Sequence, residues 1–154
     1  MSHVLSITCF IAAPPENVWQ VMTERQNEWW CPVPWRAEVD FQDRRPGGRC
    51  EMTMYGPDGE VQPQNCIYLA WDEGRRFVST DAFIRHGDEF TPAGPFMVGT
   101  WEVSPAEQGG ISGTLYTASA DHWTEEAMRQ HDQMGFTEGW QACAAQLKAL
   151  CEAK

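Results

Sequence analysis

The chain has 154 residues, with 11 Lys plus Arg against 22 Asp plus Glu, a formal net charge of −11 and a pI near 4.6. That length suits one domain, and 42% hydrophobic residues can build a core without disulfide or metal staples. The acidic balance excludes nucleic-acid binding by phosphate neutralisation, since the densest basic cluster, Arg44, Arg45 and Arg49, is broken by Pro46, Gly47 and Gly48; it also disfavours anionic membranes.

The first predicted element is a strand, Val4–Ile11, rich in β-branched and apolar residues. The stretch 4–13 has no basic flank to make it a secretory signal, and no run approaches the ~18 apolar residues of a membrane helix, so a cytoplasmic location is expected. Pro14 and Pro15 then suit a helix start, with Val18 and Met22 on one face beside Trp19. Thr23-Glu24-Arg25-Gln26 offers a capping box for a second short helix ending at Trp29-Trp30, and Pro32 and Pro34 terminate it.

From Arg36 the hydrophobic period changes to two, in segments near 36–41, 48–55, 60–71, 75–82, 97–104 and 111–120. Gly56-Pro57-Asp58-Gly59, Asp72-Glu73-Gly74 and Gln108-Gly109-Gly110 are tight turns between neighbouring strands. Connections this short cannot carry parallel crossovers, so the segments form an antiparallel meander and a doubly wound dinucleotide fold is excluded. The stretch 83–96, punctuated by Gly87, Pro92, Gly94 and Pro95, reads as a loop over a sheet edge or a pocket mouth. One long helix closes the chain: Thr124 caps it, Glu125 and Glu126 suit its N-terminal dipole, and Phe136, Trp140, Cys143, Leu147 and Leu150 recur at 4-3-4-3 spacing on its buried face. The order β, α, α, six β, α describes an α+β domain in which an antiparallel sheet curls around a terminal helix.

Catalytic and metal motifs are missing. There is no P-loop, no G-x-G-x-x-G, no G-x-S-x-G and no H-E-x-x-H, and Asp58-Gly59 lacks the rest of a calcium loop. His122 and His131 are nine apart, which on one helix puts them on opposite sides, so no shared metal is expected, and no cofactor. Cys9, Cys31, Cys50, Cys66, Cys143 and Cys151 have no paired spacing and read as reduced thiols, mostly small buried hydrophobes.

What the chain has in surplus is large adaptable apolar groups, with eight Trp, seven Phe and seven Met. Those at helical spacing, Val18, Trp19, Met22, Phe136 and Leu147, are core. Trp30, Trp35, Phe83, Phe90, Phe96 and Met97 fall in Pro/Gly-punctuated segments, where binding groups tend to sit. On the terminal helix a second stripe, Met128, His131, Gly135, Gly139 and Ala142, marks either close packing or free volume between helix and sheet, flanked by Met134 and Trp140, with His131 or Glu138 as a polar handle. Strand parity puts Cys50, Met52 and Met54 on one face.

The segments Ala13-Pro14-Pro15-Glu16-Asn17-Val18-Trp19, Trp29-Trp30-Cys31-Pro32, Asp43-Arg44-Arg45-Pro46-Gly47-Gly48, Met54-Tyr55-Gly56-Pro57-Asp58-Gly59, 110–117, and His122 with Met134-Gly135-Phe136-Thr137-Glu138-Gly139-Trp140, in this order, resemble the START-like or SRPBCC superfamily. More narrowly the chain is similar to the single-domain bacterial branch named for the activator of heat-shock protein 90 ATPase. The resemblance implies a helix-grip (START/Bet v-like) fold with a hydrophobic cavity between sheet and terminal helix; it carries over no catalytic set.

Together these readings predict a protein that binds an apolar small molecule, aromatic, lipid- or polyketide-like, in that cavity. Trp30, Trp35, Met54, Phe83, Phe90, Phe96, Met134 and Trp140 are the wall candidates, and His122 and His131 the polar contacts. The alternatives are a cavity enzyme of the polyketide cyclase or hydrolase type, using His122, His131 or Glu138 as acid or base, and a co-chaperone-like interaction module. A homodimer through an exposed sheet face or edge is left open, and a chaperone partner has little support in a single domain.

Overall fold

A computed structural model describes residues 3–153. Seven strands form one antiparallel sheet: β1 (Val4–Ile11), β2 (Arg36–Gln42), β3 (Arg49–Tyr55), β4 (Val61–Asp72), β5 (Arg76–Thr80), β8 (Val98–Gln108) and β9 (Ile111–Asp121), in the order β1-β9-β8-β5-β4-β3-β2. The stretch expected to be an irregular loop instead contains a separate hairpin, β6 (Phe83–His86) with β7 (Glu89–Pro92), turned at Gly87. Helices α1 (Pro15–Glu24) and α2 (Gln26–Trp29) follow β1, and α3 (Glu125–Gln133) and α4 (Phe136–Glu152) follow β9. The architecture is the expected α+β one, a curled sheet gripping a C-terminal helix.

Local chemistry explains most boundaries. Pro15 occupies the first position of α1, where a missing N–H costs nothing. The capping box is not made: α1 runs through Thr23, whose hydroxyl donates back to the Trp19 carbonyl at 2.8 Å, and α2 starts after Arg25 without a side-chain cap. Register shifts between Val39 and Phe41 and between Tyr68 and Ala70 interrupt the ladder where the sheet bends around its helix.

The largest departure is in the terminal helix, which is two helices. Gly135 adopts φ +95°, a left-handed conformation that stops α3, and its N–H donates to the Asp132 carbonyl at 3.0 Å before α4 begins at Phe136. The Thr124 cap holds, its oxygen accepting from Ala127 N at 3.1 Å, but it caps α3, a helix that buries none of its residues. The core face belongs to α4 through Phe136, Trp140, Cys143, Ala144 and Leu147. Period alone could not show this, because Gly135 lies in phase with His131 before it and Gly139 after it, on one stripe.

The two glycines of this region therefore have opposite roles. Gly135→Ala forces an L-residue into the left-handed region and is expected to destabilise by about 1–2 kcal/mol. Gly139 lies inside α4, and an added Cβ would meet only Pro32 Cγ, at 3.9 Å. Gly139→Ala is therefore expected to be neutral or to stabilise by up to about 1 kcal/mol. Urea unfolding of the two variants beside the parent chain distinguishes them.

Candidate functional site: a cavity between sheet and helix

Four rings stack in series from the sheet to the helix. Trp71 lies on Phe77 at 5.2 Å and 15°, Phe77 on Trp101 at 5.1 Å and 20°, and Trp101 on Trp140 of α4 at 5.5 Å and 16°. Trp30 meets Trp101 and Trp140 edge-on at 5.6 and 5.3 Å. The column depends on Gly99, where a Cβ would fall 2.5 Å from Trp101 Cη2; glycine leaves the indole room to lie along β8. At the outer end, Glu73 accepts from the Trp19 and Trp71 indoles at 3.0 and 2.7 Å, and these bonds hold its carboxyl below the usual range.

Beside this column lies a cavity of about 270 Å³. Its sheet wall is built by strand parity: Cys50, Met52 and Met54 on β3, Gln64, Cys66 and Tyr68 on β4, Phe77 and Ser79 on β5. The register places Cys50 opposite Cys66 and Tyr68 opposite Ser79, so the wall is continuous across the strands. The opposite wall comprises Gly139, Trp140 and Cys143 of α4, His131 of α3, and Gln26, Trp30, Cys31 and Pro32 around α2; Met97 and Trp101 complete it.

The segment after α2 is held in place by a side chain that sequence reasoning did not single out. Gln146 of α4 donates to the carbonyls of Trp29 and Cys31 at 2.8 and 2.9 Å and accepts from Val33 N at 3.1 Å. Three bonds from one amide thus position Trp30 and Cys31 over the cavity, with Cys31 at φ +82°. Nothing in a period of 3.6 distinguishes such a glutamine from a solvated one.

The wall is soft and uncharged. Burial pushes the thiols upward, Cys31 to about 11 and Cys66 and Cys143 to about 12, so at neutral pH they remain S–H and are poor nucleophiles. Together with Met52, Met54 and Met97 they line the space with polarizable sulfur. Two buried wall atoms, Trp101 Nε1 and Gln26 Oε1, have no hydrogen-bond partner among the described residues.

The two histidines expected on opposite sides of one helix meet. His122 precedes α3 instead of lying on it, so the helical spacing argument does not apply, and its Nε2 is 2.9 Å from His131 Nδ1. His122 is buried, at 5% exposure, and its Nδ1 lies 2.8 Å from the His3 carbonyl, which also accepts the His122 backbone N–H at 3.0 Å. His131 packs against Phe96 and Phe136 at 4.7 and 5.0 Å. Among the described residues no group of three or more His, Cys, Asp or Glu gathers to hold a metal.

Of the sequence-nominated residues, Trp30, Met54, His131 and Trp140 border the cavity. His122 and Phe96 stand behind His131 and reach the space only through it. Trp35 packs instead on a small second core of Cys31, Ala37 and Met52. Phe83 and Phe90 are exposed on the β6–β7 hairpin, Phe90 under the Arg85 guanidinium at 5.2 Å. Met134 is 76% exposed because Gly135 ends the helix there, and for the same reason only Gly139 of the glycine pair borders the cavity. Trp101, Phe77, Tyr68 and Cys66 were not nominated, although strand parity marks Cys66 with Tyr68 and Phe77 with Ser79.

These features define a class: helix-grip domains, in which a curled antiparallel sheet holds a C-terminal helix. A family model described as Activator of Hsp90 ATPase homolog 1-like protein matches residues 12–152, and the chain belongs to that family. A crystal structure of a Nitrosomonas europaea protein is 33% identical, with 96% of this chain and 92% of that one covered and a TM-score of 0.85. A Mycobacterium smegmatis protein is 29% identical over 96% and 89% of the two chains, with a TM-score of 0.74. A Chromobacterium violaceum protein, 23% identical over 98% and 99%, shares the fold with a TM-score of 0.72. No curated protein matches the chain, and no helix among the described residues is long and apolar enough to cross a membrane.

The His131 environment sets a pH dependence. Burial and the neighbouring His122 lower its proton affinity from 6.5 to about 4, with Asp132 and Asp81 acting weakly the other way. Above pH 6.5 neither folded nor unfolded chain protonates this ring, and its contribution to stability is intact. As pH falls from about 6.5 to about 4 the unfolded chain takes a proton that the folded chain refuses, so stability is lost through that window. For a half-buried, partly screened ring the loss should be about 1 kcal/mol. His131→Phe is expected to show a correspondingly shallower decline in urea midpoint between pH 6.5 and 4.

Proposed function

We propose that the protein binds a small aromatic molecule, of one or two rings, in the cavity between sheet and terminal helix. The observation that carries this reading is the wall itself: stacked indoles, thioethers and un-ionised thiols around about 270 Å³. Such a surface offers dispersion and sulfur–aromatic contact to a flat polarizable ligand, and no charge to recognise an ion. The volume narrows the choice. Ligand pockets run from roughly 300 to 1,000 Å³, and a benzene-binding cavity is about 150 Å³. The space here suits a bicyclic ring system better than a long acyl chain or an extended polyketide.

Binding is favoured over turnover by the state of the titratable groups. A ring with proton affinity near 4 is unprotonated at neutral pH and cannot act as an acid there, and it is weak as a base. His122 has both ring nitrogens engaged, and Glu138 is exposed on α4 and does not border the cavity. Six free thiols, three of them buried, suit a reducing, cytoplasmic setting.

Naphthalene titrated into the native protein should quench tryptophan emission, since Trp30, Trp101 and Trp140 are wall residues. Gly139→Leu places a side chain into the space and is expected to weaken binding by about tenfold or more while the urea transition stays cooperative. Met134→Ala, at an exposed position, should leave affinity unchanged. Equal affinity in the parent chain and Gly139→Leu would remove the cavity as the binding site.

A further inference from the structure

His131 is a polar wall group of the cavity whose hydrogen-bonding direction is dictated from outside it. A backbone carbonyl can only accept, so the contact of His122 Nδ1 with the His3 carbonyl at 2.8 Å puts the proton on Nδ1. In the neutral ring, Nε2 is then the lone-pair nitrogen. His131 Nδ1, 2.9 Å from it, must be the donor of that bond. The remaining nitrogen of His131, Nε2, therefore carries a lone pair. It has no partner among the described residues, and His131 is a wall residue of the cavity. The relay cannot reverse while both rings are neutral, because the carbonyl at its far end has no proton to give.

Resting on the aromatic-ligand reading above, we propose that the cavity selects a ligand bearing a neutral hydroxyl, phenolic or enolic, which donates a hydrogen bond to His131 Nε2. An unpaired acceptor in an apolar pocket discriminates strongly for a donor, since a ligand without one leaves it desolvated and unsatisfied. Phe96, Phe136 and Trp140 surround the imidazole, at 4.7, 5.0 and 6.0 Å, so a ligand seated against these rings covers Nε2. A carboxylate is disfavoured at this position, because its oxygens would face the lone pair and no Lys or Arg borders the cavity. The depressed proton affinity of His131 works in the same direction, keeping the ring an acceptor throughout the neutral range.

The test compares naphthol, naphthalene and naphthoate by calorimetric titration near pH 7.5. Naphthol is expected to bind about tenfold or more tightly than naphthalene, as one good hydrogen bond provides, and naphthoate weakest. His131→Phe should bring naphthol to within about threefold of naphthalene, whose own affinity persists. Equal binding of naphthol and naphthalene to the parent chain overturns the hydroxyl proposal and leaves the aromatic cavity standing. Binding of none of the three overturns the cavity reading and this proposal with it. If His131→Phe does not fold, nitrogen-15 spectra of the parent chain decide the same point. A lone-pair Nε2 and a protonated Nδ1 on both histidines support the relay, and a protonated Nε2 on His131 overturns it.

Discussion

The stacking of Trp101 against Trp140 is the contact through which sheet and helix become one object. Trp101 belongs to β8, an interior strand of the sheet, and Trp140 to α4, and their rings lie nearly parallel at 5.5 Å. Phe77 and Trp71 extend the stack behind Trp101, and Trp30 closes it edge-on. Because the rings are rigid and wide, they hold the helix off the sheet next to them. Smaller residues, Cys143 and Gly139 on α4 and Cys50 and Cys66 on the strands, border the gap that this standoff leaves. The cavity is thus a geometric consequence of large rings on one side of the contact and small groups on the other.

The break at Gly135 is the second determinant. Had α3 and α4 been continuous, His131 would lie about 1.4 turns before Phe136 on a single axis, and its direction would follow from helical phase alone. The left-handed glycine frees α3 to take its own course, and His131 instead ends against His122, Phe96 and Phe136. Asp81 contributes from the other side: its carboxylate accepts from Phe96 N at 2.8 Å and Met97 N at 3.3 Å, fixing the segment that carries Phe96 to the imidazole. A left-handed glycine and a loop carboxylate thereby orient one ring at the cavity wall.

These two determinants differ in how far the sequence discloses them. The seven strands of the main sheet, the three tight turns and the order in which these follow one another come from period, Pro/Gly punctuation and turn chemistry, which are local; the β6–β7 hairpin and the far end of β8 do not. Strand parity is also local, and it does place Cys50, Met52 and Met54 on the cavity face. Parity applied to the next two strands would have added Gln64, Cys66 and Tyr68, and Phe77 with Ser79. What sequence patterns do not carry is long-range orientation. Gly135 and Gly139 are equivalent by spacing, yet one is a left-handed stop and the other an ordinary helical residue. The His122–His131 bond joins residues nine apart through a turn, and the Gln146 clamp reaches across more than 110 positions to Trp29, Cys31 and Val33.

A ring-lined space of this kind has to resist its own collapse. Apolar walls separated by less than a ring's thickness gain dispersion by closing, and interiors in general are packed to near crystalline density. Here the closing motion is blocked at several points. The Trp101–Trp140 stack bears on one side, Gln146 pins the α2 segment on another, and the Glu73 carboxylate ties two indoles at the outer end. Each restraint acts on a residue at or next to the wall without filling the space. The interactions that stabilise the fold are therefore the ones that keep the cavity open, and one acceptor on its wall is directed by a hydrogen-bond relay that starts at the backbone of residue 3.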